Sequence, residues 1–277
     1  MIPPIALLTD FGNQDTYVGA MKAVMLARAP SVSIIDLTHS IAPGDVQHAA
    51  FEAWRVRPYL PPGTLLVGVV DPGVGTERKP VAISFPGLTC IGPDNGLFSY
   101  LFEREPGWKA VELNRSQFWG DRVSTTFHGR DIFAPVAAHL ASGVSFDQVG
   151  EMTSTLFQLP RPRMEIEARR SIMGEILHID HFGNLITSIG QLISTETSLQ
   201  FSSWLGTRKS FEFRKDQVRI HLKDAEPLKI MDSYGSIPSG MPLAYVGSAG
   251  LLEIAVNGGH AAQRFEVRRG DPVTLIA

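Results

Sequence analysis

The stretch LLVGVVD, from Leu65 to Asp71, places six apolar or glycine residues in front of a single carboxylate. A continuously apolar run of this length, rich in valine, is typical of a strand that is buried on both faces of a parallel sheet. Pro61-Pro62 precedes the run and PGVG follows it, so turn-forming residues bound it on both sides. The stretch therefore predicts a central strand of an α/β fold, with Asp71 at its carboxyl end.

Strand and helix patterns alternate on both sides of this stretch, through the first half of the chain. Apolar runs predict further strands at 5–8 (IALL), 33–37 (SIIDL), 81–85 (VAISF), 88–92 (LTCIG) and 109–114 (KAVELN). Helical spacing of apolar residues predicts helices at 15–29, from Asp45 to about Leu60 and from about Gly129 to Leu140. Strands separated by helices predict an α/β N-terminal domain with a mostly parallel sheet.

The second half of the chain has a different pattern, with short runs of alternating polarity separated by Gly, Asp and Ser. These runs predict strands at 164–168 (MEIEA), 174–180 (GEILHID), 185–189 (LITSI), 211–214 (FEFR), 218–222 (VRIHL), 242–246 (PLAYV), 251–256 (LLEIAV), 265–269 (FEVRR) and 273–277 (VTLIA). Such spacing favours an antiparallel barrel or sandwich. We place the boundary at the proline-rich stretch 160–162, which predicts domains at 1–160 and 165–277, the second an all-β, barrel-like domain.

Composition narrows the classes of function. The 277 residues carry a formal net charge of −3 and include no basic block, so nucleic acid is not an expected partner. The one cysteine, Cys90, allows neither a disulfide framework nor a CxxC metal site, which fits a reducing, cytoplasmic location. The N-terminal MIPPIALLTDFG lacks the charge pattern of a signal peptide, and no apolar run reaches the ~20 residues of a membrane span.

Polar residues follow the predicted strands where ligands bind in open α/β sheets. Asp10 and Asp71 both stand at strand ends, and Arg78 is far enough along the DPGVGTER loop to fold back onto Asp71. His128 opens the third predicted helix at its positive end. Each residue also has a plain structural explanation: a turn or cap for Asp10, a solvated cation for Arg78, a helix cap for His128. GVGTER lacks the third glycine of a dinucleotide fingerprint.

The segment HIDHFGN, from His178 to Asn184, suggests a metal site as an alternative. His178, Asp180 and His181 are all possible ligands. In a strand, however, His178 and Asp180 face one way while His181 starts a turn. No helical HExxH pair occurs in the chain. We therefore predict no metal, and keep a metal-dependent hydrolase as a lesser alternative.

Six segments occurring in this order carry a more specific signal than any one of them: LLTDFG, VVDPGVGTER, GPDNGLFSYL, TFHGRDIFAPVAAHLASG, IDHFGN and GSAGLLEIAVN. They resemble the S-adenosyl-L-methionine (SAM) hydroxide adenosyltransferases, adenosine-forming hydrolases related to the enzymes that make 5′-fluoro- and 5′-chloro-5′-deoxyadenosine. The resemblance runs from Ile5 to about Asn257. It implies an N-terminal α/β domain, a C-terminal β-barrel, and a homotrimer with SAM held between one subunit's N-terminal domain and its neighbour's C-terminal domain.

The resemblance also assigns site residues. The Asp–Arg–His set of the hydrolases matches Asp71, Arg78 and His128, where the fluorinating relatives carry tyrosine at positions 71 and 128 and serine at 129. It further implies that Asp10 binds the ribose hydroxyls and Phe127 packs near the ribose, with Gly129 leaving space beside the reacting carbon. The remaining substrate contacts that it implies are Asp180, Phe182, Asn184, Tyr234, Ser248, Glu253, and Val256 and Gly258 through their backbones.

Two positions depart from the halogenating relatives, which carry Trp where this chain has Gly44 and Arg where it has Ala249. The resemblance implies hydrolysis of SAM at C5′ to adenosine and L-methionine, without a cofactor. The alternatives are a SAM-dependent halogenase and a non-catalytic protein that binds SAM or adenosine.

Overall fold

The computed structural model describes residues 2–103, 107–167, 170–206 and 208–277. They form two compact units, one ending at Leu159 and the other beginning at Pro160. No helix in these described ranges is both long enough and apolar enough to cross a membrane.

The first unit is built on a seven-stranded sheet with helices on both faces. Its strands are β1 (Ile5–Thr9), β2 (Ile34–Thr38), β3 (Thr64–Val69), β4 (Pro80–Phe85), β5 (Leu88–Pro93), β6 (Lys109–Glu112) and β7 (Glu151–Thr153), in the spatial order β2-β1-β3-β5-β4-β6-β7. Its α-helices are α1 (Tyr17–Arg28), α2 (Val46–Val56), α3 (Ser99–Phe102) and α4 (Ala134–Ala141), with a π-helical turn at Gly129–Phe133 leading into α4.

Pairing in this sheet is mixed. The four strands β2, β1, β3 and β5 are parallel. Strand β4 forms a hairpin with β5 through only Pro86 and Gly87, and a connection this short permits antiparallel pairing only. Strands β6 and β7 continue antiparallel. The predicted α/β class is confirmed, and its parallel part is the part that carries Asp10 and Asp71.

Burial on both faces follows from the alternation of side chains along each strand. Ile5 and Leu7 of β1 enter a core with α1 and α4. Ala6 and Leu8 enter a second core, which includes Ala49 of α2. Strands β1 and β3 are parallel neighbours, with Ile5 opposite Leu65, so their carboxyl ends lie side by side at one edge of the sheet. Asp10 and Asp71 therefore emerge together.

The named strands of the second unit all pair antiparallel. Its strands are β8 (Met164–Glu167), β9 (Ser171–Ile179), β10 (Leu185–Gly190), β11 (Leu192–Ser194), β12 (Ser198–Ser202), β13 (Ser210–Arg214), β14 (Arg219–Leu222), β15 (Pro242–Val246), β16 (Leu251–Val256) and β17 (Pro272–Ile276), with helix α5 (Ala261–Arg264) before β17. The main sheet runs β14-β17-β9-β10-β16-β15, β8 pairs with β9, and β11, β12 and β13 form a separate small sheet. Bridges at Leu228 and Ile230 link β14 toward β15, so the main sheet nearly closes. The barrel-like class is confirmed.

One predicted strand is wrong, and another extends beyond the described residues. Residues 265–269 (FEVRR) form no strand. Instead, the amide of Val267 bonds the carbonyl of Ala262 at 3.1 Å, and that of Arg268 bonds Asp271 Oδ2 at 3.0 Å, so the segment is a helix end followed by a turn. Val267 is buried in the core and produces the apolar signal without strand pairing. Ala168, the last residue of the predicted MEIEA strand, lies outside the described residues.

Candidate active site

The loop after β3 brings Arg78 back to the carboxylate that ends the strand. Two turns fold the loop, with Val74 N bonding Asp71 O at 3.2 Å and Thr76 N bonding Gly73 O at 3.2 Å. Gly75 has a φ of +78° and lies so close to Thr125 that a Cβ would stand 2.5 Å from its carbonyl oxygen, so only glycine fits there. This tight path returns Arg78 to Asp71 seven residues later.

Arg78 joins the carboxylate to the histidine. Its Nε lies 3.0 Å from both oxygens of Asp71, and its Nη2 donates to Asp71 Oδ2 as well. The same Nη2 lies 2.9 Å from Nδ1 of His128. The side chains of Asp71 and Arg78 are 6% and 9% exposed, so this ion pair is shielded from water. The three residues predicted from separate segments therefore form one connected group.

The contact with Arg78 fixes the tautomer of His128. A guanidinium has only donors, so Nδ1 must accept the hydrogen bond and the proton of the neutral ring lies on Nε2. Burial and the neighbouring Arg78 lower the pKa of His128, although Asp71 and Asp131 act against them. His128 directly precedes the π-helical turn, but its side chain makes no capping hydrogen bond. The helix-cap explanation is therefore not supported.

The rest of the Arg78 guanidinium faces an aromatic ring. Its Cζ lies 5.3 Å from the centre of the Phe133 ring, a cation–π distance. Its Nη1 is buried and has no hydrogen-bond partner among the described residues. A buried cation that keeps a donor available for a further hydrogen bond can stabilise negative charge that develops on a nearby oxygen.

A cavity of about 380 Å³ opens beside this group. Five of the predicted site residues line it, namely Asp10, Asp71, Phe127, His128 and Gly129, and its other walls are Phe11, Pro43, Gly44, Val69, Pro72, Val74 and Thr126. Asp10 Oδ2 accepts a 2.8 Å hydrogen bond from the amide of Gly44. Burial raises the pKa of Asp10, with a further contribution from the charge of Asp71.

An aromatic cluster forms one side of the cavity. The Phe127 ring meets Phe11 edge-on at 5.7 Å and Tyr17 at 5.2 Å. A Cβ built on Gly129 would stand 3.2 Å from Met21 Sδ and 3.4 Å from both Phe11 and Phe127. Gly129 thus lets the rings and the start of the π-helical turn approach closely, which leaves the space beside His128 open.

A buried carboxylate holds the loop that carries Phe127 and His128. Asp131 is only 4% exposed, and its Oδ2 accepts from the amide of Ser124 at 2.8 Å. Ser124 Oγ in turn accepts from the amide of Phe127 at 3.0 Å. Arg130 pairs with Asp131 at 2.6 Å and lies over the Phe127 ring at 4.9 Å. The loop 124–131 is therefore tied to the first turn of its own helix.

In the second unit, the predicted residues of the DHFGN segment form a tight turn between β9 and β10. Asp180 Oδ1 accepts from the amides of Phe182 and Asn184 at 2.9 and 2.8 Å, and Asn184 Nδ2 donates to Asp180 Oδ2 at 2.9 Å. Gly183 has a φ of +84°, and a Cβ there would overlap His260 at 2.3 Å. Phe182 is 74% exposed at the tip. The turn therefore presents an aromatic ring above a fully bonded carboxylate.

This turn does not assemble the metal site that the sequence suggested as an alternative. Both oxygens of Asp180 are used within the turn. Among the described residues, the ligand atoms of His178, Asp180 and His181 do not come within 4.8 Å of one another as a set. The geometry gives the three-residue metal hypothesis no support.

A second group of predicted residues surrounds the β15–β16 hairpin. The Tyr234 hydroxyl lies 3.0 Å from that of Tyr245, whose own hydroxyl donates to Glu253 Oε2 at 2.5 Å. Burial and the bond to Glu253 raise the pKa of Tyr245 far above its usual value. Ser248 is exposed in the turn between the two strands. Val256 ends β16, and Gly258 follows in a turn with a φ of +71°.

Comparisons with known protein families match both units. The N-terminal domain model of the SAM hydroxide adenosyltransferases matches residues 5–150, and the C-terminal domain model matches residues 174–274. The chain belongs to the SAM hydroxide adenosyltransferase family. The family resemblance seen in the sequence is thereby confirmed.

Two full-length relatives of this chain carry the name (R)-S-adenosyl-L-methionine hydrolase. The protein from Thermus thermophilus is 37% identical over 283 residues, covering 99% of both chains. The protein from Salinispora tropica is 38% identical over 280 residues, covering 99% of this chain and 98% of its own. A fluorinase from an Actinoplanes species is more distant, with 27% identity over 299 residues.

Solved structures share the fold. A structure described as an uncharacterized conserved protein from Thermotoga maritima has a TM-score of 0.86 at 31% identity, covering 99% of this chain and 100% of that one. A conserved hypothetical protein from Thermus thermophilus has a TM-score of 0.74 at 35% identity, with the same coverage.

In each unit, the predicted residues contact others that we did not predict. Phe11 follows Asp10 directly in LLTDFG, and its position after a strand end was a usable signal. Tyr245 lies opposite Glu253 in the β15–β16 pairing, a cross-strand relation that becomes visible only when the register is known. Phe133 and Asp131 belong to the π-helical turn that follows His128, and no residue pattern in this segment predicts such a turn.

Proposed function

We propose that this protein hydrolyses SAM at C5′ of the ribose, giving adenosine, L-methionine and one proton. The observation that carries the proposal is the single Nη2 of Arg78 that contacts both Asp71 and His128 beside a cavity lined by Asp10. The hydrolase names of the full-length relatives support the same reaction. We further propose a metal-free and cofactor-free reaction in a cytoplasmic homotrimer, whose sites each combine the N-terminal domain of one subunit with the C-terminal domain of its neighbour.

The leaving group needs no help from the protein. Methionine departs from the sulfonium as a neutral thioether, taking the electron pair of the C5′–S bond. The difficulty lies in the nucleophile, because water is a very weak acid and free hydroxide is scarce at neutral pH. The site must therefore orient a water molecule, favour its ionised form and aim its oxygen at C5′.

The three residues divide these tasks by their hydrogen-bonding states. His128 has its Nδ1 lone pair engaged by Arg78, so its Nε2–H donates to the water oxygen and orients it. Asp71 is the nearby acceptor for the departing proton. The Arg78 cation stabilises negative charge on the oxygen as it forms. Asp10 holds the ribose through its two oxygens, and in-line placement of reactants is worth roughly 7–11 kcal/mol in well-oriented reactions.

The decisive experiment incubates the purified protein with SAM in ¹⁸O-labelled water. We expect label in the 5′-hydroxyl of adenosine, which establishes both the reaction and the bond cleaved. Each sulfonium epimer is supplied separately, and we expect the R epimer to be preferred. Added chloride or fluoride should give no 5′-halo-5′-deoxyadenosine, and exhaustive chelation should leave the rate unchanged. SAM bound without turnover, or a halogenated product, would overturn the proposal.

Variants test two of the three residues, His128 and Arg78. We expect His128→Ala and Arg78→Ala to reduce adenosine formation about 10- to 100-fold, because each removes a group that acts on the nucleophile, while SAM binding remains measurable by calorimetry. His139→Leu is a matched control, since His139 lies on α4 and does not line the cavity. Circular dichroism first establishes the folded fraction, because Arg78→Ala leaves Asp71 without its partner. Unchanged turnover in both alanine variants would remove the group from the mechanism.

A further inference from the structure

A second connected group of polar side chains adjoins the segment that carries Asp10 and takes no part in the proposed chemistry. His39, only 5% exposed, has its Nδ1 2.9 Å from Thr9 Oγ1 and its Nε2 3.0 Å from Asp36 Oδ1. Lys22 of α1 donates to Asp36 Oδ2 at 2.6 Å. Hydroxyl, imidazole and carboxylate stand in the order of a nucleophilic triad, so the group needs an explanation.

Nucleophilic catalysis does not fit this group. Thr9 is completely buried and does not line the cavity, so no substrate carbon reaches its hydroxyl. Its oxygen is also occupied, since it accepts from the amide of Phe11 at 3.3 Å while bonding His39. A nucleophile needs a free lone pair facing the substrate. The group is therefore built to hold structure.

The donors and acceptors of the group follow one consistent order. Asp36 can only accept from the ring, so His39 carries a proton on Nε2, and in the neutral ring Nδ1 then accepts a hydrogen bond from the Thr9 hydroxyl. Burial acts to raise the pKa of Asp36, but the hydrogen bonds from Lys22 and His39 outweigh it and keep that pKa below its usual value. The Thr9 hydroxyl and the His39 ring are buried, and each of their polar atoms has a partner, which fixes one arrangement of the group.

The segment that this network fixes is the one that carries Asp10. Thr9 is held from its side chain, and the amide of Gly12 donates to the backbone carbonyl of His39 at 2.8 Å. Between these two anchors, Asp10 accepts from the amide of Gly44, which lies five residues beyond His39 in the same loop. Three hydrogen bonds thus lock the end of β1 to the segment after β2, with Asp10 in the middle.

We propose that His39, with Thr9 and Asp36, is a positioning residue that sets the Asp10 carboxylate for the two ribose hydroxyls of the substrate. This inference rests on the proposed function, in which Asp10 binds the ribose. It assigns His39 a role in ribose selectivity and none in the displacement at C5′.

Selectivity between adenosine and 2′,3′-dideoxyadenosine measures this role directly. Calorimetry on the full-length protein gives both dissociation constants, and their ratio reports the contribution of the ribose hydroxyls. We expect a wild-type ratio of about tenfold or more, since hydrogen bonds to a carboxylate are strong. In His39→Leu, which keeps the apolar volume and removes both hydrogen bonds, the ratio should fall below about threefold. A general loss of protein stability would weaken the binding of both nucleosides equally and would leave the ratio unchanged.

Further variants separate positioning from folding. Thr9→Val keeps the shape and removes the hydrogen bonds of the Thr9 hydroxyl to His39 and to the amide of Phe11, so it should lower the ratio even if His39→Leu does not fold. His39→Gln, whose amide offers one acceptor and one donor, should recover part of the ratio. Lys22→Met should change it little, because this exposed ion pair contributes weakly. His139→Leu is the matched control.

The outcomes distinguish this inference from the proposed function. A wild-type protein that discriminates the two nucleosides, with His39→Leu and Thr9→Val that discriminate equally well, would overturn the positioning role and leave the hydrolase proposal intact. A wild-type protein with no discrimination would overturn the ribose role of Asp10 together with the inference. A ratio of dissociation constants that is reduced in both His39→Leu and Thr9→Val, and normal in the control, supports the positioning role of His39.

Discussion

His128 presents two ring nitrogens with different duties. Nδ1 accepts from Arg78, and the neutral ring must then carry its proton on Nε2. Burial disfavours the charged ring, and protonation of Nδ1 would also place a second positive charge against the guanidinium, so the pKa of His128 is lowered. At the scale of the residue, we expect His128 to act as a neutral donor to the nucleophile, with Asp71 as the proton acceptor.

The pH dependence of the reaction tests this assignment. We expect kcat/KM to fall in acid with an apparent pKa below the usual 6.5 of histidine, because the folded protein resists protonation of His128. Between that lower pKa and 6.5 the unfolded chain binds more protons than the folded one. The contribution of the neutral His128 ring to the free energy of unfolding is therefore complete above pH 6.5. It declines as the pH falls from 6.5 through the lowered pKa of the folded protein.

His128→Asn separates the two nitrogens. Its side-chain oxygen can accept from Arg78 as Nδ1 does, but it offers no donor in the place of Nε2 and does not titrate. Urea unfolding at pH 5 and pH 7.5 should show a smaller pH dependence of stability in this variant, while adenosine formation is low at both. An acid limb above 6.5 in the wild-type protein, or equal pH dependence in the variant, would contradict the assignment.

At the scale of the element, the π-helical turn Gly129–Phe133 determines how the site is built. Short π-helical segments are frequent at functional sites because the wider turn redirects side chains. Here Gly129 lines the cavity, Asp131 ties back to Ser124, and Phe133 lies against Arg78. This single π-helical turn therefore contacts the cavity, the loop that carries His128, and the guanidinium of Arg78.

Asp131 variants separate its charge from its hydrogen bond. Asp131→Asn keeps an acceptor for the Ser124 amide and removes a negative charge that raises the pKa of His128. We expect turnover at pH 8 within about threefold of wild type, since the loop bond survives, and an acid limb displaced to lower pH. Asp131→Ala also removes the loop bond, and adenosine formation should fall about tenfold or more. An unmoved acid limb in Asp131→Asn would show that the charge does not reach the ring.

At the scale of the whole molecule, each of the two units has its own hydrophobic core. Two core clusters lie in the first unit, and a separate cluster of residues from Ile172 to Leu275 lies in the second. We proposed domains at 1–160 and 165–277, and Arg163 shows where the exact start matters. Its amide donates to Glu175 at 3.1 Å, and its carbonyl accepts from Ser188 Oγ at 2.5 Å.

Fragments test the independence and the boundary of these domains. We expect fragments 1–160 and 160–277 each to unfold in a single cooperative transition, because each contains a complete core. Fragment 165–277 should melt about 4–8 °C lower than fragment 160–277, because it loses the two Arg163 bonds, worth about 1 kcal/mol in sum or slightly more. Differential scanning calorimetry measures all three. Equal melting of the two C-terminal fragments would contradict the role of Arg163.

The sequence predicts those parts of the molecule whose cause is local. Leu65–Asp71 needs only its apolar run to be a buried strand, and Asp10 needs only its place after another such strand. The false strand at 265–269 shows the limit of prediction from a local apolar pattern. Val267 is apolar because it fills the core after a helix, and it pairs with no strand in the described part of the chain. Tyr245 was missed for a related reason, because its partners, Tyr234 and Glu253, are set by hairpin register and a distant turn.

Gly44 restricts how this pocket can evolve. Its backbone has a φ of +74°, which strains any residue with a side chain, although the nearest atom to an added Cβ is 3.7 Å away. The same residue gives its amide to Asp10. A single substitution at position 44 that fills this side of the cavity would therefore also disturb the hydrogen bond that holds Asp10. A relative with a bulkier side chain at position 44 would need other changes in the loop 39–45 as well. We therefore expect natural sequences that carry the change at position 44 alone to be scarce.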